Sequence, residues 1–553
     1  MRKTSKLILS CVLTGWAACS QAQTWNSAIE DGLPAPGTDN CRPLDATTSG
    51  NSFIGGYFTG TVYFGAASTI TLTSTGTDAF LTRLISVTSG ASWAVKISGT
   101  GSEAIRKVEL AGSSVIVYGT TTASSVTLNG TSGSPVTLTG LSGAFLAKYT
   151  SAGVISWAVP YAGNVSDMAF VPSSGRLYTI GADASSPNKT RIRSVNGTTG
   201  AVLYDVLSTN TGLSTVNKGI AGDASNHCYI LVDGRTDFKL PSSSTITLSG
   251  AYDMVLMKLD TNLTYQSYLK IGNSGTTDEM AKDVDCSGTG DIYITGSYAN
   301  GTAYMDGVGT GTVNLSNGGG TDLCLAKYTN SLTPVWAKSI SGAGGDIPLA
   351  MSLDPNSSNP FLLVQNQATN SVMVDPCSSS LYTSATSGFD NKWYVIKYTS
   401  TGTIDWSAAP VAIDATALPV AVQGQNTSAN IFGYNLQQTD FGSTSLVGSG
   451  SIYIARASKL LGCKPAGTTG IEESELENTL SVYPNPTKGE FIIPVTGDDI
   501  NVSISMVDNM GKQVLNLNDV KTGKINIEHL ANGIYFYTIH KNGNAYRGKI
   551  VKE

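Results

Sequence analysis

One short segment recurs along the chain and limits what it can fold into. It reads Asp78-Ala-Phe-Leu-Thr-Arg-Leu84, Gly143-Ala-Phe-Leu-Ala-Lys-Tyr149, Asp253-Met-Val-Leu-Met-Lys-Leu259, Asp322-Leu-Cys-Leu-Ala-Lys-Tyr328 and Lys392-Trp-Tyr-Val-Ile-Lys-Tyr398, with weaker copies at Thr190 to Asn196 and Ser451 to Ala457. The copies lie about 45 to 70 residues apart, a period that means like units packed side by side. Each predicts a strand with apolar residues in alternation and the Lys or Arg turned outward. A second element follows about ten residues later, at Trp93-Ala-Val, Trp157-Ala-Val, Tyr204, Tyr265, Trp336-Ala-Lys and Trp406-Ser-Ala. Its remaining copy, Trp25-Asn-Ser, lies ahead of the first repeat. A third element is a pair of short strands around a turn, clearest at Asp283 to Gly296 and Met168 to Gly181. Related copies start near Val108, Gly219, Leu349 and Val420, and a degenerate one runs to Gly55.

Four strands per unit and seven units predict an all-β fold, a seven-bladed β-propeller over residues 23–463. The chain enters with a Trp-bearing fourth strand and leaves on a third strand, so Trp25 is expected to complete the last blade and close the ring. An open ring would expose two sheet edges. The motifs resemble the seven-bladed propeller repeat of exported bacterial proteins: an Asp-Ser/Asn-Gly turn, Tyr-x-x-Gly, an Asp-x-Phe-x-x-Lys strand, then a Trp strand. Asp285, Gly288, Tyr293, Gly296, Asp322 and Lys327 match it closely, whereas the third unit has Thr190 for Asp and arginines at 191 and 193. The resemblance covers about residues 25 to 461 and implies a fold, not a function.

Composition changes at Lys464. Residues 464–479 form a polar, acidic linker. From Leu480 to Glu553, period-2 alternation broken by Asp-Asn-x-Gly and Asn-Gly turns predicts a small Ig-like β-sandwich. This tail resembles the type A C-terminal sorting domain of the type IX secretion system. The matching residues are Tyr483, Pro484, Asn485, Pro486, Gly489, Phe491, Asp508, Gly511, Leu530, Gly533, Tyr535, Lys549 and Val551. The resemblance implies recognition by that machinery and a secreted or outer-surface destination.

The N-terminus agrees with export. Arg2, Lys3 and Lys6 precede an apolar run from Leu7 to Ala18, too short to span a bilayer, and Ser20-Gln21-Ala22 offers a cleavage site. Residues 1–22 are therefore expected to be a signal peptide; a lipoprotein acylated at Cys19 is the alternative, with Trp16 where such a site takes Leu. No other apolar run approaches a transmembrane span. A net charge of −6 with no basic block argues against nucleic acid and against a polybasic membrane anchor. An exported chain permits disulfides, and closure through Trp25 brings Cys41 and Cys463 to one seam, where a bridge is expected. The partners of Cys228, Cys286, Cys324 and Cys377 stay open.

Chemistry is sparse. Asp283, Asp285, Ser287 and Asp291 match the start of a calcium loop, but Ile294 stands where the loop needs Glu, and the stretch also serves as a repeat turn. No nucleophile-and-base constellation stands out, and His227 is the one histidine of the repeat region, expected to pack or lie on the surface. No cofactor is expected. The repeated Trp and Tyr residues read first as packing groups. Ligand contacts are expected on the loops Thr120 to Ser142 and Tyr298 to Thr321. The resulting expectation is an exported, non-catalytic module binding a glycan or protein. A glycan-degrading propeller enzyme and a structural surface component are the alternatives.

Overall fold

A computed structural model describes residues 24–31, 40–46, 52–64, 70–86, 90–209, 215–248, 252–272, 278–299, 301–307, 313–341 and 345–366, most of 372–458 in shorter stretches, and 482–493, 502–508 and most of 512–553. Every regular element among them is a strand. The chain divides into two compact units, Met1–Cys463 and Lys464–Glu553.

In the first unit the described strands include seven four-stranded antiparallel meanders, of which the first and fifth are each extended to six strands by a further hairpin. The first sheet is Asn40–Ala46, Ser52–Phe64, Ile70–Ser86 and Gly90–Gly99, and the second Glu103–Ala111, Ser114–Thr121, Gly143–Tyr149 and Ile155–Ala162. The third to fifth begin on Asp167–Val171, Thr215–Gly222 and Glu279–Cys286, and the sixth on Asp346–Leu353. The seventh combines Ala417–Gln425, Ser428–Asn435 and Ser451–Ser458 with the N-terminal strand Thr24–Asp31, so the strand of Trp25 does pair with the last repeat strand. The leading strands touch one another in order, and Ala417–Gln425 touches Asn40–Ala46, which returns the series to its start.

The reason each repeat strand is apolar nearly throughout lies in this arrangement. Successive residues of a strand point to opposite faces, and here both faces are buried. In Asp253–Leu259, Met254 and Leu256 pack with the fifth sheet, beside Ile292, Ile294 and Tyr328. Val255, Met257 and Leu259 pack with the third sheet, beside Tyr178, Ile180 and Ile192. The same division recurs between every neighbouring pair, and Phe432 of the seventh sheet joins Ile54, Phe58 and Phe80 of the first. The expectation of a one-sided apolar pattern with outward Lys or Arg is thus corrected.

Those cations reach the next sheet instead. Arg83 and the Trp93 indole both donate to the Ser151 carbonyl, at 3.1 and 3.0 Å. Lys148 and Trp157 share the Gly197 carbonyl at 3.0 and 3.2 Å, and Lys327 and Trp336 share that of Ser400 at 3.4 and 3.0 Å. Each acceptor lies in the turn between the third and fourth strands of the following sheet. The repeated pair is an inter-sheet clamp that satisfies a turn carbonyl. The third unit departs from the repeat because it bridges differently: Arg193 pairs with Asp205 at 3.1 Å, donates to the Ala162 carbonyl and covers the Tyr161 ring.

In six of the seven sheets the leading strand carries a bulge against its neighbour, as between Ala281 and Asp283. Gly296 faces that bulge, where an added Cβ would lie 2.5 Å from the Met280 carbonyl, so the repeat's glycine is a close-approach residue.

The tail unit buries Val482, Phe491, Ile504, Met506, Ile525, Tyr535, Tyr537 and Ile550 in its own core. Its sheets are Glu490–Ile492 with Lys524–Asn526, and Gln513–Leu517, Ser503–Val507, Gly533–Lys541 and Asn544–Lys552 in that order.

Candidate functional site

The leading strands of the second to seventh sheets line a cavity of 1490 Å³. A leading strand has one edge without a sheet partner, and its N–H groups need acceptors. Side chains of the preceding sheet provide them. Glu109 accepts from Phe170 N at 2.6 Å, Asp167 from Ile220 N at 3.0 Å, and Ser352 from Gly424 N at 3.0 Å. Asp283 and Asp285, two apart and therefore on one face of their strand, accept from Met351 N and Leu353 N at 3.3 and 3.2 Å. These carboxylates staple neighbouring sheets around the cavity wall.

The same groups set its electrostatics. Lys107 pairs with Asp167 at 3.1 Å. Burial pushes the Asp283 carboxyl up, and the negative charges of Asp167 and Asp285 add to the rise, with Lys107 opposing it. Burial pushes Asp285 up to about 6, against the Cys286 and Leu353 N–H donors that favour its anion. Two raised carboxyls in one cavity are a recurrent arrangement for proton transfer. Here each already accepts two backbone N–H bonds, one from its own successor and one from the next sheet.

The calcium-loop candidates are divided by the fold. Asp283 and Asp285 face the next sheet's leading strand, whereas Ser287 accepts from Asp291 N at 2.9 Å within the turn and Asp291 pairs with Lys327 at 2.8 Å. Among the described residues no group of three or more His, Cys, Asp or Glu side chains could hold a metal ion. His227 closes the corresponding turn of the fourth sheet. Its Nδ1 lies 2.9 Å from Asp223 Oδ2, which also accepts from Tyr229 at 2.9 Å. Burial pushes the Asp223 carboxyl up, but these donors and the His227 N–H outweigh it and hold it low.

Both long loops carry a hairpin of their own. Within Thr120 to Ser142, Ser125–Leu128 and Val136–Thr139 form a hairpin that pairs with Gly90–Gly99 and extends the first sheet. Within Tyr298 to Thr321, Thr302–Tyr304 and Asn314–Ser316 form another, and Tyr304 bridges to Gly272 just beyond the fourth sheet's last strand. Outer strands are edges that need cover, and hairpins from the next unit provide it. Sequence reasoning missed these latches, and also the buried Asp346. Among the described residues neither Asp346 oxygen has a hydrogen-bond partner, and burial, with Asp322 nearby, pushes its carboxyl up to about 7. Cys228, Cys286 and Cys324 are free thiols. The side chain of Cys41, together with Cys463 and residues 1–22, lies outside the described residues.

In the tail the sequence motif holds the last strand in place. Asn485 donates to the Lys549 carbonyl at 2.8 Å and accepts from Val551 N at 2.9 Å, between two cis X-Pro bonds at Pro484 and Pro486. Thr487 N donates to the Val551 carbonyl at 2.8 Å. Gly489 has φ 146°, and a Cβ there would lie 2.5 Å from Glu528 Cγ. Phe491 and Tyr535 are buried, Tyr535 donates to the Ala531 carbonyl, Leu530 N donates to the Ile527 carbonyl, and Asp508 accepts from Lys512 N. Gly533 opens the strand Gly533–Lys541, Tyr483 and Lys549 are exposed, and Gly511 lies outside the described residues.

Residues 481–553 match the family described as "Secretion system C-terminal sorting domain". The chain therefore carries a type IX sorting domain and is exported to the secreted or cell-surface compartment. No curated protein matches it. Among solved structures it is similar to the Neurospora crassa Pan2 WD40 domain at 10% identity and a TM-score of 0.40, covering 79% of this chain and 96% of that one. It is also similar to the quinohemoprotein alcohol dehydrogenase ADHIIG from Pseudomonas putida HK5, at 12% identity and a TM-score of 0.31, covering 79% and 69%. At such scores these likenesses add nothing to the sheet order itself. No helix of the described residues is long and apolar enough to cross a membrane.

Proposed function

We propose that residues 23–463 are a seven-bladed β-propeller that acts outside the cell as a non-catalytic binding module for a glycan or a protein, delivered by an Ig-like sorting tail after removal of residues 1–22. The observation that carries the binding reading is the cavity wall: Glu109, Asp167, Asp283 and Asp285 are engaged by backbone N–H groups of the next sheet. A carboxylate so held is a structural staple first, and a nucleophile or base needs a free oxygen aimed at substrate. The latched hairpins at 120–142 and 298–321 favour the cavity and its rims over those loops as the binding face.

A second reading, a glycan-degrading enzyme, draws on Asp283 and Asp285, whose raised carboxyls share the cavity with the Lys107–Asp167 pair. One experiment separates the two. Purified residues 23–463 are screened against polysaccharides and surface proteins for both binding and depolymerisation. Binding without turnover is expected. Turnover abolished by Asp283→Asn or Asp285→Asn would establish the enzyme reading instead.

A further inference from the structure

The matched motif of the tail points mostly inward or to its own backbone. Phe491 and Tyr535 are core residues, Asn485 is spent on the last strand, and Gly489 is a packing requirement. What the tail offers to a partner must be read elsewhere on its surface. The strand Gly533–Lys541 shows where. Its inward residues Tyr535, Tyr537 and Ile539 are buried, and the alternate positions should be polar if that face met only water. Ile534 and Phe536 occupy two consecutive outward positions and are 49% and 48% exposed. Phe536 pairs across the strands with Val507 on one side and Lys549 on the other, and Ile534 pairs with Val551. Val507 and Val551 are themselves partly exposed, so the four apolar side chains are contiguous on the face, with the exposed Lys549 beside them.

We propose that this face, centred on Ile534 and Phe536, is the surface by which the secretion machinery recognises the tail. The partner is a protein component of that apparatus presenting an apolar patch. The proposal rests on the sorting reading of the tail. Two large exposed apolar groups in line do nothing for the sandwich's own core, but they supply the central contact of a docking surface.

The test uses the full chain in its own secreting cells, with fractionation into periplasm, surface and medium. The paired variant Ile534→Ser with Phe536→Ser should accumulate in the periplasm at least tenfold over wild type, while the conservative pair Ile534→Val with Phe536→Tyr is exported. Protease resistance of the tail in the purified chains shows whether it remains folded. Should the serine pair unfold the tail, a photo-crosslinking phenylalanine at 536 preserves the ring and decides the matter. Adducts with an identified component of the apparatus should form from position 536 and not from the exposed Gln513. Normal export of the serine pair, or no such adduct from 536, overturns the proposal. A chain lacking residues 481–553 is the separate control: its export would overturn the sorting reading itself.

Discussion

Replacing Asp346 by Asn tests how the interior of the repeat unit handles charge. Asp346 opens the leading strand of the sixth sheet and is fully buried, with neither oxygen hydrogen-bonded to any described residue. The equivalent residue of the second sheet is Glu103. One methylene longer, it accepts from Gly99 N and Thr121 Oγ1, each at 2.8 Å. Burial, and secondarily Asp322, raises the Asp346 carboxyl from 3.8 to about 7. A rise of that size corresponds to about 4 kcal/mol between the protonation states. The sign follows from linkage. Below about pH 4 the group is protonated in both folded and unfolded chains and has no effect. As pH rises towards 7 the unfolded chain ionises freely and the folded chain resists, so stability falls and then levels off. Asparagine has the same shape and no charge. The variant should therefore match wild type near pH 4 and exceed it at pH 8 by up to about 4 kcal/mol, or about 4 °C in Tm for a unit this large. Asp283 and Asp285 titrate in both proteins and cancel in the difference. Thermal unfolding by circular dichroism at several pH values is the assay. A difference that is independent of pH, or a variant less stable at pH 8, would refute the reasoning.

Further outcomes are expected. Trp336→Phe loses the indole N–H bond to the Ser400 carbonyl and part of the ring that packs on the core, and denaturant unfolding should show a loss of at least about 1 kcal/mol. Gly119→Ala places a Cβ 2.1 Å from Phe145 Cζ in the core between the first and second sheets, and the same assay should show a loss of about 1 to 3 kcal/mol. Non-reducing peptide mapping of the mature protein should recover Cys41 joined to Cys463. In the chain-entropy account, that link across the ring's seam stabilises by at most about 6 kcal/mol. Recovery of both as free thiols would remove it.

The repeat made the architecture legible because seven copies of a strand motif leave few alternatives, and the early position of Trp25 showed how the last sheet is completed. What sequence could not show is what each side chain faces. Lys148 and Lys327 look like solvent residues in an apolar strand, yet both reach the turn of the next sheet. That contact spans units, and no local periodicity reports it. The hairpin at 125–139 looks like a variable loop because it is rich in Gly, Ser and Thr, the composition of a short exposed strand pair laid on an edge. Asp283 and Asp285 carried an ion-binding pattern, but alternation turned them to a neighbouring backbone while the turn kept Ser287 and Asp291. In the tail the motif was visible because its residues are fixed by packing. The exposed Ile534 and Phe536 carry no such constraint, and their outward direction came only from the burial of Tyr535 and Tyr537.

The tail, as read here, is a self-contained sorting unit that delivers a separate cargo. The most direct measurement of this is transplantation: residues 464–553 fused behind a folded periplasmic reporter that carries its own signal peptide, expressed in cells with a working type IX system and in cells without one. The reporter should reach the surface or medium in the first and stay in the periplasm in the second. Retention in both, with the fusion intact and folded, would contradict the claim.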